Sequence, residues 1–137
     1  MNQNEKIVCS KVLSCLAWAD GHLSKEEEET FLQFIKNIAE DSDISKLKQV
    51  LSTTKALTQE LETEIKGMNK AAFAEVISFA FTIINCDRKA IDSENAILLR
   101  IAQVRLGESN AKKLFDWYQH VSQADQIFDE VFFGDEQ

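Results

Sequence analysis

The chain has 137 residues, 45% of them hydrophobic and 28% charged, the balance of a folded single domain rather than a disordered segment. A net charge of −8 repels phosphate backbones and anionic lipid head groups, which argues against nucleic acid as a partner. Proline is absent and glycine occurs only four times, so helix is expected almost end to end.

In chain order, the first helix is expected over about residues 3–19, with Val8, Val12, Cys15, Leu16 and Ala19 on one stripe. Ser24 opens the second, whose inner face carries Phe31, Leu32, Ile35 and Ile38. A third begins near Asp43 with Ile44, Leu47, Val50 and Leu51. Thr58 starts a short fourth with Leu61 and Ile65, closed by Gly67 in the position past the last turn that favours glycine. The fifth, from Asn69 to Asn85, is the most apolar, with Phe73, Val76, Ile77, Ala80, Phe81 and Ile84. Asp92 caps the sixth, which holds Leu98, Ile101, Ala102 and Leu106 and ends at Gly107. Ser109 begins the last, with Leu114, Trp117, Tyr118 and Val121, and Ser122 with Asp125 offers a weak restart before Phe133. No stretch alternates with period two for long enough to be a strand, and no apolar run approaches the ~20 residues that span a bilayer. The fold class is therefore all-α: a seven- or eight-helix bundle in one domain spanning residues 1–137.

An internal repeat is expected beneath the helices. Asp20 and Asp87 lie 67 apart, each just after a long apolar helix, and Val12, Leu16 and Ala19 correspond to Phe79, Ile83 and Cys86. Downstream the correspondence requires one inserted residue, pairing Leu23 with Ile91 and Glu26 with Glu94. The two units run over about 3–66 and 69–133. Charge is shared evenly between halves, since residues 1–68 hold eight basic and twelve acidic side chains and residues 69–137 hold seven and eleven.

The three cysteines, Cys9, Cys15 and Cys86, form no CxxC and do not suggest a disulfide framework, and the odd count with no signal peptide favours a reducing cytosol. With His22 they match no compact zinc-ligand spacing, so Cys9 and Cys15 are expected as small buried hydrophobes.

The most informative stretch is Ala19-Asp20-Gly21-His22-Leu23-Ser24-Lys25-Glu26-Glu27. It reproduces the second half of an EF-hand loop, with Asp at position 5, Gly at 6, an aliphatic at 8, Ser at 9 and Glu at 12. Positions 1 and 3 would be Leu16 and Trp18, which cannot ligate a cation, so a true EF-hand is excluded. Two readings stand side by side. Ser24 and Glu27 form a helix-capping box and Gly21 suits a left-handed turn, each device contributing about 1 kcal/mol without any ion. Alternatively Asp20, the His22 carbonyl and Glu27 supply three or four oxygens to a divalent cation, completed by water or by Asp87, Asp92 and Glu94 of the second unit.

The run Trp18-Ala19-Asp20-Gly21-His22-Leu23-Ser24-Lys25-Glu26-Glu27 resembles the "ADGxI(S/D)xxE" signature of the TerB-like tellurite-resistance family, a domain also present in some membrane-bound DnaJ-type co-chaperones. The likeness covers most of the chain, because that family too is all-helical with two such turns. The second motif, Cys86-Asp87-Arg88-Lys89-Ala90-Ile91-Asp92-Ser93-Glu94, departs from the signature: Arg88 replaces glycine and there is one extra residue. The resemblance implies a bacterial cytoplasmic stress-response module with metal-binding acidic residues. Carried over, these are Asp20 and Glu27 in the first turn and Asp87 and Glu94 in the second, although the inserted register puts Asn95 opposite Glu27. The cofactor implied is a divalent cation, calcium or magnesium ahead of zinc, with no organic cofactor.

The last helix offers a second kind of site. Beyond Lys113 there is no lysine or arginine, while Asp116, Asp125, Asp129, Glu130, Asp135 and Glu136 are acidic. Its apolar residues either close the core or form a partner or homodimer surface, in which Phe128, Phe132 and Phe133 are the candidates. Catalysis is not expected. His22 and His120 are the sole histidines, neither beside a nucleophile motif, and there is no phosphate loop or HExxH.

Overall fold

The computed structural model describes residues 1–85 and 92–133, with the side chains of 85, 92, 122–130, 132 and 133 excepted. Among the described residues there are seven helices and no strand: α1 (Gln3–Ala17), α2 (Lys25–Ile38), α3 (Ile44–Thr53), α4 (Gln59–Lys66), α5 (Lys70–Asn85), α6 (Asp92–Leu106) and α7 (Glu108–Phe133). The all-α reading holds, and the count is seven.

Most starts are set by side chains that satisfy the first free backbone N–H groups. Asn2 and Glu5 bond reciprocally at the head of α1, at 2.9 and 3.1 Å. Thr58 Oγ1 accepts from Leu61 N at α4, and Asn69 Oδ1 from Ala71 N at α5. Two expectations are corrected here. Gly67 caps α4 with φ −87°, an ordinary right-handed value, so the chain does not need glycine there; the left-handed turns are at Gly21 (φ 91°) and Gly107 (φ 86°). α7 does not restart at Ser122 but runs as one helix of 26 residues, since a single serine neither removes a backbone donor nor relaxes φ.

α1 is the hub. It lies against α2, α3, α4, α5 and α6, and every residue from Val8 to Ala17 except Lys11 is buried. The expected single stripe is thus too narrow, because partners surround the helix. Around it α2 meets α3 and α5, α4 meets α6, and α5 meets α6. Phe31, Phe34 and Ile35 of α2, Leu47 of α3, Ile65 of α4, Ile83 and Ile84 of α5, and Leu98 and Ile101 of α6 fill the core. Each such side chain contributes roughly 1.5–3 kcal/mol by leaving water. Cys9 and Cys15 are buried hydrophobes, and desolvation pushes both thiols up to about 12, with the Glu75 and Glu5 charges adding to the effect at Cys9.

α7 lies against α6 alone among the described backbone, while its rings reach α5: Tyr118 stacks on Phe81 with centroids 3.9 Å apart, and Phe115 meets it edge-on at 6.0 Å. Leu114, Phe115 and Tyr118 therefore face inward. Trp117 and Val121, expected on the same stripe, are 57% and 36% exposed. No helix among the described residues is long and apolar enough to cross a membrane.

Candidate functional site

The turn between α1 and α2 is built in three steps. First, α1 runs out at Ala17, and the chain tightens as Ala19 N donates to Leu16 O (3.2 Å) and Gly21 N to Trp18 O (2.9 Å). Gly21 then takes φ 91°, a conformation that costs other L-residues about 1–2 kcal/mol. Finally Ser24 adopts an extended backbone (φ −78°, ψ 161°) and α2 begins at Lys25.

Asp20 organises the tip. Its Oδ1 accepts from His22 N at 3.2 Å, closing a side-chain-to-backbone turn, and its Oδ2 stands 3.5 Å from His22 Nε2. The imidazole is solvent-exposed, so this ion pair exists only when His22 is protonated. At the helix start the capping box forms in full: Glu27 N donates to Ser24 Oγ (3.1 Å), and Ser24 N donates to Glu27 Oε1 (2.9 Å). Of the acidic run, Glu26, Glu28 and Glu29 are exposed, where they complement the positive end of the helix dipole.

Glu27 is different. It is 1% exposed, and although Oε1 is occupied by the cap, Oε2 is buried and accepts no hydrogen bond. A cap requires one oxygen; burying the second without a partner costs about 1–3 kcal/mol.

The base of the turn is clamped to α3. Trp18 Nε1 donates to Leu51 O at 2.7 Å, and Lys55 Nζ sits 4.5 Å from the Trp18 ring centroid. One turn earlier the buried Ser14 hydroxyl bonds to Val50 O (3.3 Å) and Thr54 O. Val50 O also accepts from Thr54 N at 2.8 Å, so the two α1-side donors at Ser14 and Trp18 reinforce the end of α3 and its cap rather than replace a helical bond there. Sequence reading missed this clamp, although Ser14 and Trp18 stand four apart on one face of α1, the spacing that would have shown it.

In the second half, Glu94 is 4% exposed and Asn95 is half-buried, so the buried position is the glutamate 67 residues after Glu27 rather than the asparagine one further on. Asp87 lies outside the described residues. Among the described residues, no three of His, Cys, Asp and Glu gather into a metal-holding group. Phe128, Phe132 and Phe133 fall on α7, with side chains outside the description. A hollow of about 640 Å³, lined by Asn2, Glu5, Val8, Glu64 and Met68 among others, does not include the Asp20 turn. His120 is exposed, its Nδ1 2.8 Å from Asp116 O.

No family model matches the chain, and neither a curated protein nor a solved structure matches it.

Proposed function

We propose that the chain is a non-enzymatic, TerB-like helical module of the bacterial stress-response kind, holding a divalent cation at the turn between α1 and α2. The observation that carries this reading is the Glu27 carboxyl: 1% exposed, one oxygen fixed by Ser24 and the other without a hydrogen bond. A cation at Oε2 would satisfy that oxygen. Asp20 is the second donor, its carboxyl already oriented by His22 N. These two do not complete the six to eight oxygens that calcium takes, so the remainder is assigned to the second acidic turn, Asp87 with Glu94, and to water.

Two observations support the companion reading of two helical units of about 67 residues. α2 and α6 begin at Lys25 and Asp92, 67 residues apart, and the buried Glu27 and Glu94 share that interval without the inserted residue. Cysteine ligation is not part of the proposal, since a metal requires thiolate and burial holds Cys9 and Cys15 as thiols up to about 12.

The test is thermal unfolding of chelator-treated protein with Ca²⁺, Mg²⁺, Mn²⁺ or Zn²⁺ added singly, on the wild type, Glu27→Gln and Asp87→Asn. One ion should raise the melting temperature of the wild type, because binding the folded state alone adds about 2.7 kcal/mol at a hundred times the Kd. That rise should vanish in Glu27→Gln. If no ion raises the melting temperature, Asp20 and Glu27 are helix caps and the reading fails.

A further inference from the structure

We draw no further inference here: the strongest candidate, the exposed apolar face of α7 that carries Trp117, Val121 and Val131, is a surface patch for which nothing in the structure shows what covers it.

Discussion

α1 and α7 both mix apolar and polar residues along their length, yet they end in opposite circumstances. α1 is enclosed on all sides, and even Ser10 and Ser14 are buried, each hydroxyl donating to a backbone carbonyl. α7 is longer by eleven residues and buries only Ala111 among its described side chains. The difference lies in the neighbours. Five helices surround α1, whereas α7 has α6 on one side and the Phe81 ring of α5 at its first turns. Burial is therefore assigned by position in the bundle, and a helix's own periodicity fixes only which face turns inward first.

The sharpest way to break this contrast is truncation. Leu13→Ala in the enclosed helix should cost about 2–5 kcal/mol in a urea titration, through lost transfer energy and the cavity left behind. Val131→Ala, at a position 61% exposed, should stay within about 0.5 kcal/mol. Equal costs would show that α7 is enclosed as well.

Alkaline pH sharpens it next. The buried thiols of Cys9 and Cys15 titrate at about 12 in the folded chain, against 9.0 for an ordinary thiol. Below pH 9 both states keep their protons and these groups have no effect. Between about 9 and about 12 the unfolded chain releases protons that the folded chain retains, so stability falls as pH rises, by up to about 2.7 kcal/mol per pH unit for the pair. Cys9→Ala/Cys15→Ala should flatten that slope, as read by urea titrations at successive pH values, and alkylation of the native protein at neutral pH should leave both residues unmodified.

A smaller effect separates two glycines. Gly21→Ala should destabilise by about 1–2 kcal/mol, since φ 91° is strained for alanine even though a Cβ there meets nothing within 4 Å. Gly67→Ala should be neutral or stabilise by about 0.4–1 kcal/mol, because φ −87° suits alanine and its nearest neighbour, Glu64 O, is at an ordinary 3.7 Å. A melting curve of each variant decides the matter.

Much of this architecture was legible in the residues. The absence of proline, the recurrence of apolar side chains and the caps at Ser24 and Thr58 led to the helices and, within two residues, to most of their starts. Gly21 in a left-handed turn and the Ser24–Glu27 box followed from spacing alone. What was not legible came from long-range packing. Phe34 is buried because α5 brings Phe79 against it with centroids 4.9 Å apart, a meeting no local pattern encodes. Trp117 is exposed because Leu114, Phe115 and Tyr118 take the inward face of α7 and no described helix covers the other. The full burial of Glu27 also escaped: the capping box accounts for one of its oxygens, and the spacing that shows the box carries no information on burial.

The clamp at the base of the turn has an optical consequence. The chain's two tryptophans, Trp18 and Trp117, report on opposite ends of the contrast. Trp18, half-buried, bonded to Leu51 O and overlain by Lys55, should emit toward the blue and resist acrylamide quenching. Trp117, open to water, should emit toward the red and quench readily. A Trp117→Phe variant leaves a single tryptophan two residues from Asp20, and Trp18→Phe leaves one on the exposed face of α7. The protein thus carries its own indicator for the turn and for the last helix.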